Sequence, residues 1–431
     1  MKLALPPRWI VTVGLAAFAS AVTTVSGPDA LRAQSAADVP VPQYRVDPFW
    51  PKMPLANKWL IQGVPVMVTD HQDHIWVVSR PRDLAPDESM YGVFNPTSSA
   101  RTDCCVAAPA VLEFDAEGNL HNAWGTPDYN PGWPAFGVAR PGASGEHAIA
   151  VDKEGNVWLT GQSRGDGLQK YSKDGKLLWD FGHRGARPVA GQPPSPIAEN
   201  NQQTDVFPTG ISQFTLDEDA REIYIAHWKR ILVYDYEGKF KRGWGGKGMT
   251  LSQISNAPTP DYDWKKGPPP DQDQLSSDLH CIHLSVDGLV YVCDRDLNRI
   301  HVFTKQGKFV TNFLVAGNTI ARGPECGGPG HATLGMCGST FNLVFSHDAG
   351  QKYVLVADGT NHRIWIHDRR TGAYVGQIGS PGRMAGQLHW LDGIAMDSLG
   401  NIYTGEVDDG KRVQKFVLLN GDGVRRPRPH D

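Results

Sequence analysis

Residues 280–303, with the sequence HCIHLSVDGLVYVCDRDLNRIHVF, decide the fold that this chain is predicted to adopt. An apolar strand leads into a turn at residues 286–288, a second strand follows at 289–292, and a polar tip separates it from a third strand at 299–303. Asp and Gly suit such tight turns because they tolerate the left-handed backbone conformation that hairpins need. The stretch therefore predicts neighbouring antiparallel strands.

Variants of this unit recur along the chain. The six units cover residues 58–124, 147–181, 210–244, 280–313, 339–378 and 392–417. Each contains four short strands with two tight turns, a pattern that is typical of a β-propeller blade. One blade cannot bury both of its faces alone, so its neighbours must cover it. The sequence predicts an all-β, six-bladed β-propeller over residues 58–420.

The sixth unit ends after its third strand, at residues 413–417. We expect the missing strand to come from residues 58–62, which precede the first blade, because this pairing would close the ring and remove its open edge. A Pro-rich lead at residues 37–57 and a polar tail at residues 421–431 flank the propeller.

Residues 1–36 have the pattern of an export signal. Lys2 and Arg8 supply a positive start, residues 9–25 are mostly apolar, and small residues near 33–37 suit cleavage. An uncleaved N-terminal anchor is the alternative, although the apolar run is short for a membrane span. No other segment is apolar enough to span a bilayer, so we expect a periplasmic or secreted protein.

Composition and cysteine content agree with an exported protein that does not bind nucleic acid. The net charge of −4 argues against a nucleic-acid surface, because phosphate binding needs clustered Lys and Arg. Six cysteines fit an oxidising compartment. Cys281 and Cys293 are placed for a cross-strand disulfide, and Cys326 and Cys337 bracket a Gly-rich loop that a second disulfide would staple. The alternative is that some cysteines are buried thiols.

Five long irregular segments are predicted to lie on one face of the propeller, where loops between blades and loops between second and third strands both emerge. They are residues 80–109, 125–146, 182–209, 246–278 and 316–338. Long loops on a rigid scaffold usually carry function. The aromatic side chains that these loops contribute would suit the cover of a partly apolar pocket, and they include Tyr91, Phe94, Trp133, Phe136, Tyr262 and Trp264.

The residue that begins the first strand changes its chemistry from blade to blade. In blades one to six this position holds Pro65, His147, Ser212, His280, Phe341 and Asp392. Ligand-type side chains thus fall on alternate blades and should converge near the axis. Two imidazoles and one carboxylate predict a divalent metal site that suits zinc, with iron(II) or manganese as alternatives. A structural calcium is a further alternative.

Two other histidines bear on this assignment. His389 would replace Asp392 as the third ligand if the register of blade six were shifted. His283 lies three residues beyond His280, so it should point to the opposite face of its strand, and we interpret it as structural.

The loops DRDLNRI at residues 294–300 and DGTNHRI at residues 358–364 resemble those of NHL repeats. At the metal position the chain resembles the peptidyl-α-hydroxyglycine α-amidating lyases, which are NHL-type propellers with a zinc held by three histidines. His147, in EHAIAVD, and His280, in LHCI, match the first two, whereas the third falls on Asp392, in WLDGI. The resemblance also implies a catalytic arginine at Arg80, in VSRP.

The chain departs from that family at two positions. The family's catalytic tyrosine is missing from the short loop at residues 226–230, AHWKR, and a methionine is replaced by Trp390. The resemblance implies C–N cleavage of an α-hydroxyglycine-like substrate to an amide and glyoxylate. Without the tyrosine, His227 or a water activated by the metal would have to act as the base.

The first functional hypothesis is a monomeric, metal-dependent lyase or hydrolase that acts on a small or peptide-derived substrate. Arg80 would bind a carboxylate or an oxyanion. Glu406 and Asp294 would assist proton transfer, or else would only order their loops. The second hypothesis is a non-catalytic NHL propeller that binds a protein or a small ligand. A calcium-dependent lactonase-like hydrolase and a virginiamycin-type lyase are further alternatives, and the histidine pair argues against the lactonase, whose ligands are Glu, Asn and Asp.

Overall fold

The computed structural model describes residues 39–84, 88, 105–125, 146–161, 167–180, 210–326 and 337–426. The predicted export signal and the loop residues Tyr91, Phe94, Trp133 and Phe136 lie outside these ranges. Within them, helix is limited to short 3-10 turns at Ala56–Lys58, Pro81–Asp83, Gly246–Gly248, Leu251–Gln253, Trp264–Lys266 and Arg295–Leu297. Among the described residues, no helix has the length and apolar character needed to cross a membrane.

The strands follow the predicted repeat closely. In chain order they are β1 (Tyr44–Asp47), β2 (Trp59–Leu60), β3 (Met67–Thr69), β4 (Ile75–Val78), β5 (Val106–Ala107), β6 (Val111–Phe114), β7 (Leu120–Trp124), β8 (Glu146–Val151), β9 (Val157–Gly161), β10 (Leu168–Tyr171), β11 (Leu177–Asp180), β12 (Gln213–Asp217), β13 (Glu222–His227), β14 (Arg230–Asp235), β15 (Phe240–Trp244), β16 (Leu279–Leu284), β17 (Leu289–Asp294), β18 (Arg299–Thr304), β19 (Phe309–Leu314), β20 (Asn342–Phe345), β21 (Tyr353–Asp358), β22 (Arg363–Asp368), β23 (Tyr374–Ile378), β24 (Leu391–Met396), β25 (Ile402–Glu406) and β26 (Arg412–Leu418).

Six four-stranded antiparallel sheets form the six blades, so the predicted all-β, six-bladed propeller is confirmed. Blade one is β3-β4-β6-β7, blades two to five take β8 to β23 four at a time, and blade six is β24-β25-β26-β1. In each of these blades the first strand is the innermost one. The side where the first strands begin, called the looped face below, also carries the described connection between blades three and four, residues 245–278.

An N-terminal strand closes the ring, as predicted, but the assignment to residues 58–62 was wrong. β1 pairs antiparallel with β26, with Tyr44 opposite Leu418. β2, from the predicted segment, instead pairs in parallel with β5. Pro42 and Pro48 flank β1 and made it look unlike a strand. An outermost strand tolerates flanking prolines, because only one of its edges must donate ladder hydrogen bonds.

The hydrophobic core lies between the blades. Each second strand supplies one central side chain that is at most 2% exposed, namely Trp76, Trp158, Tyr224, Tyr291, Val354 and Tyr403. The apolar clusters that contain them join residues of adjacent blades, for example Tyr224 of blade three with Leu284 of blade four. This packing fixes the blades around the axis and gives the first strands defined positions.

Two predicted disulfides are confirmed. Cys281 and Cys293 are opposed residues of β16 and β17, with Cα atoms 4.7 Å apart, and Cys326 is bonded to Cys337. Such bonds persist in an oxidising compartment. The loop that contains Cys326 is also tied to the insertion before β16, since the Ala321 amide donates to the Tyr262 hydroxyl over 3.0 Å.

Candidate metal centre

β-Bulges occur at all three ligand-type positions. In β16, residues 279 and 281 pair with consecutive residues of β17, so His280 is an extra residue in the ladder. β24 has the same irregularity at Asp392, and β8 has one at residues 147–148. The first strands of the other three blades pair regularly. Because a bulge turns a side chain away from its normal direction, this alternation aims these three side chains differently from their counterparts.

The structure brings His147, His280 and Asp392 together. One potential metal-ligand atom from each residue lies within 4.8 Å of the ligand atoms of the other two. The imidazole rings are 5.3 Å apart between centroids, and the interplanar angle is 72°. The side chains are buried, with exposures of 1% for His147 and 3% for the other two. That they bind a metal stays a prediction, but the geometry is compatible with a compact cation site.

Backbone carbonyls of the intervening blades orient both imidazoles. His147 Nδ1 lies 2.5 Å from the carbonyl oxygen of Ser212, and His280 Nδ1 lies 2.9 Å from that of Phe341. A carbonyl oxygen only accepts, so each ring donates through Nδ1. The lone pair is then on Nε2, the arrangement that supports metal binding in many histidine sites. Ligand-type blades and supporting blades therefore alternate around the axis.

The Asp392 carboxylate fits a cation for a separate reason. Its Oδ1 is buried and accepts no hydrogen bond from the described residues. The nearest imidazole nitrogen, His280 Nδ1, is 3.7 Å away and already donates to Phe341. A buried carboxylate oxygen without a partner is unfavourable in free energy, and a divalent cation shared with two imidazoles would satisfy it.

The protonation states of the cluster are set mainly by burial. Burial lowers the pKa of His147 well below its usual value, and electrostatic interaction with Arg80 and His280 lowers it further. The imidazole of His147 is therefore neutral at neutral pH and keeps a lone pair for a ligand. Burial raises the pKa of Asp392, and electrostatic interaction with His280 and Arg80 partly offsets this increase.

Two half-buried arginines lie close enough to act electrostatically on this cluster. Arg80 donates from Nε to the Glu146 carbonyl over 3.1 Å, so it is anchored beside the start of β8. Arg295, which was not singled out in the sequence, forms a 2.6 Å ion pair with Asp278 and places its guanidinium 5.1 Å from the Phe341 ring centroid. The positive charges of both arginines lower the pKa of Asp392 and so partly offset the increase caused by burial.

The other predicted catalytic residues are not members of the cluster. Glu406 is 1% exposed, and its carboxylate accepts from Arg412 over 2.8 and 3.2 Å and from Gln414 over 3.1 Å. Asp294 accepts from the Ser276 amide over 2.9 Å. Both carboxylates thus order their surroundings, and their part in proton transfer stays a prediction.

His227, predicted as a base, is half-buried at the end of β13. Its ring centroid is 6.3 Å from that of Trp228. It lies on the looped face, because second strands end where first strands begin, and its catalytic role stays a prediction.

Two further histidines take positions outside the ligand set. His389 stacks on His362 with centroids 4.9 Å apart and lies 3.2 Å from an Arg383 nitrogen, so the register of blade six presents Asp392 and not His389 to the cluster. His283 hydrogen-bonds to Asn342 over 2.8 Å, and burial lowers its pKa to about 4.

A second group of ligand-type residues was not found from the sequence. Potential metal-ligand atoms of Asp70, His74 and Glu113 also lie within 4.8 Å of one another. His74 Nδ1 is 2.6 Å from Glu113 Oε1, and the Lys173 ammonium is 2.7 Å from the same oxygen. No repeat signal marks these residues, because Asp70 and His74 come from the first turn of blade one, Glu113 comes from its third strand, and Lys173 comes from blade two.

Comparison with known proteins supplies no family for the chain. No protein-family model matches it, and no curated protein matches its sequence. The NHL and amidating-lyase resemblances therefore stay predictions.

Solved structures align with the chain at low similarity. A streptogramin B lyase aligns at 10% identity with a TM-score of 0.44, covering 87% of this chain and 98% of that one. A catalytically inactive variant of virginiamycin B lyase from Staphylococcus aureus, solved with quinupristin, aligns at 11% identity with a TM-score of 0.43. That alignment covers 90% of this chain and 89% of that one. The Cps50 (Swd1) β-propeller domain from Myceliophteria thermophila aligns at 9% identity with a TM-score of 0.45, and the alignment covers 88% of this chain and 100% of that one.

Proposed function

We propose that the protein is an exported, metal-dependent propeller enzyme of the lyase type. The observation that carries the proposal is the convergence of His147, His280 and Asp392, with both imidazoles oriented by carbonyls and one carboxylate oxygen left without a hydrogen-bond donor among the described residues. The two disulfides support the exported location, and we include a periplasmic or secreted, monomeric state in the proposal.

His147, His280 and Asp392 would hold the ion. The donor set of two imidazoles and one carboxylate suits zinc, and iron(II) or manganese are the alternatives. When bound, such an ion polarises a substrate oxygen and neutralises developing negative charge. The buried position of the three side chains excludes bulk water from them and strengthens their electrostatic interactions.

Arg80 and Arg295 would bind an anionic group of the substrate. Both lie near enough to affect the ionisation of Asp392, and both are held in place by contacts of their own. A guanidinium offers planar, paired donors that match a carboxylate. The substrate class would then be a small or peptide-derived carboxylate whose reacting oxygen lies between the arginines and the histidines.

A lyase reaction on an α-hydroxyglycine-like substrate also needs an acceptor for the hydroxyl proton. His227 is our candidate, since it lies on the looped face and the adjacent loop offers no tyrosine. Cleavage of the C–N bond would then release an amide and glyoxylate, and the nitrogen would leave with a proton.

A non-catalytic propeller that binds a protein or small ligand on the looped face is the second candidate. The hydrogen bonds of Glu406 and Asp294 favour it, because these carboxylates already have structural partners. In that case a metal at the three ligands, or a calcium elsewhere, would be structural. A lactonase-like hydrolase would need a ligand set richer in carboxylates than the one that the axis presents.

Glyoxylate release from α-hydroxyhippurate, measured with mature protein and added zinc, tests the catalytic proposal. We expect release that is lost in the His147→Ala/His280→Ala variant and kept in His121→Ala, which changes a partly exposed histidine of blade one. Release equal to the background in the wild-type protein, with metal shown to be bound, would reject this reaction and favour the binding role.

A further inference from the structure

The far ends of the same first strands surround a separate cavity. It has a volume of about 490 Å³ and is lined by residues from the first strands of all six blades. The ligand cluster belongs to the starts of these strands, whereas the cavity is reached from the side of their tight turns. A volume of this size is within the range of small-molecule sites.

Aliphatic side chains form most of the cavity wall. The lining includes Val68, Ala150, Leu216, Val344 and Met396, one from each of five blades. All five are only partly buried, although their strands are at the centre of the propeller. Contact with an apolar ligand would remove this surface from water, which is worth roughly 25 cal/mol per Å².

The remaining blade supplies a polar group to the lining. His283, from β16, lines the cavity and donates from Nε2 to the Asn342 Oδ1 over 2.8 Å. The Gln213 Nε2 lies 3.3 Å from the same ring nitrogen. Asn342 and Gln213 are at most 3% exposed, so the imidazole is supported from the two adjacent blades. Its low pKa keeps it uncharged at neutral pH.

Charged groups that line the cavity already have partners. Glu218 accepts from the Lys153 amide over 2.7 Å and lies 3.2 Å from His71 Nε2. Asp397 accepts from the Asn401 amide over 2.9 Å. Arg426, which also lines the cavity, is paired with Asp422. A charged ligand would therefore lose hydration without meeting an uncommitted counter-charge among these groups.

We propose that the axial cavity binds a small, uncharged organic molecule with an apolar body and one hydrogen-bonding group directed at His283. The aliphatic wall would bind the body, and the imidazole would orient the polar end. This site is separate from the proposed metal centre, because its lining includes none of His147, His280 and Asp392.

Ligand-observed ¹⁹F NMR with matched probes tests the chemistry. We expect 4-fluorobenzyl alcohol to bind saturably and at least tenfold more tightly than 4-fluorobenzoate or 4-fluorobenzylamine. In His283→Phe, affinity for the alcohol should fall several-fold, while affinity for 4-fluorotoluene should be kept. Absence of saturable binding, equal affinity for a charged probe, or an equal loss of both uncharged probes in His283→Phe would overturn the proposal.

Two cavity-filling variants test the location. Val344→Trp and Ala150→Phe should each weaken alcohol binding at least tenfold, whereas Val310→Trp, at a position that is 47% exposed on β19, should not. Circular dichroism and cooperative unfolding identify any variant that fails to fold. Metal content should be unchanged in a folded filled variant, so this result is independent of the proposed enzyme function. Undiminished binding in a folded filled variant would overturn the assignment.

Discussion

Two groups of side chains contain the same types of potential metal ligand but differ in the charged groups that contact them. The axial cluster contains His147, His280 and Asp392, and the turn cluster contains Asp70, His74 and Glu113. Both would attract attention as metal sites from residue types and distances alone. In the turn cluster, however, Lys173 places an ammonium 2.7 Å from Glu113, so a cation is already supplied by the protein. An oxygen of each cluster, Glu113 Oε2 and Asp392 Oδ1, accepts no hydrogen bond from the described residues, but no lysine among those residues pairs with Asp392.

Blade two shows what the turn cluster is for. There Asp152 accepts from the Trp158 indole over 2.9 Å and pairs with Lys170 at 2.9 Å, with neither His nor Glu in the group. Asp70 accepts from Trp76 over the same 2.9 Å in blade one. The turn cluster is therefore one version of a repeated device that locks the first turn of a blade onto its second strand. Among the described residues, Asp392 has neither an indole donor nor a lysine partner, and this difference favours a ligand there.

The largest expected effect concerns the repeated turn device. Trp76→Phe should lower the free energy of unfolding by roughly 3 kcal/mol, because it removes a buried hydrogen bond and buried volume. Trp158→Phe should do the same within about 1 kcal/mol. Urea denaturation of the two variants measures both values. A much larger loss for Trp76→Phe, present only in metal-loaded protein, would mean that the turn cluster binds metal.

The Lys173 ammonium provides the second comparison. Lys173→Met leaves Glu113, which is 0% exposed, without its ammonium partner, and should destabilise the protein by about 2 kcal/mol. Lys176→Met, at an exposed position of the same turn, serves as the control and should change stability by less than about 0.5 kcal/mol. Equal stability of both variants in denaturation would show that Glu113 does not need Lys173.

Asp392→Asn should have the opposite sign in metal-free protein. Removing a buried, unneutralised carboxylate should raise the free energy of unfolding by about 1 kcal/mol, while metal affinity falls at least about tenfold. Denaturation in chelator and competitive metal titration give the two numbers. Destabilisation of the metal-free variant would mean that Asp392 has a structural partner, as Glu113 does.

A smaller effect is expected in the pH dependence of that variant. The pKa of Asp392 is raised in the folded protein, so its contribution to stability is present below the unfolded value of about 3.9 and is lost as pH rises through the folded value. The stability advantage of Asp392→Asn should therefore grow as pH increases from about 4 towards neutrality. Denaturation curves across this range check it, and a constant difference would contradict the raised pKa.

Much of the fold was predictable because the repeat is encoded in local patterns. Turns with Asp and Gly, together with apolar second strands, repeat often enough to indicate six blades. The closing strand was not predictable in this way, because β1 has only four residues and lies between prolines. Its assignment depends on tertiary pairing with β26, whose partner could equally have been another nearby segment.

The residues of the candidate site were predictable from the sequence, but the bulges and contacts that position them were not. Repeat alignment placed His147, His280 and Asp392 at one position, yet nothing in the local sequence showed that each is accompanied by a bulge. The alignment also could not reveal that Arg295 lies near Asp392, or that Arg412 forms an ion pair with Glu406. These contacts join different loops and strands, so they depend on how the blades pack.

Metal analysis of purified, dialysed protein tests the central claim most directly. We expect about one zinc, iron or manganese per chain in the wild-type protein and in Glu113→Gln, and none in His147→Ala/His280→Ala, with all three proteins folded. Wild-type protein that cannot be loaded with any of these metals would contradict the account. So would metal that survives the loss of both histidines but is removed by Glu113→Gln.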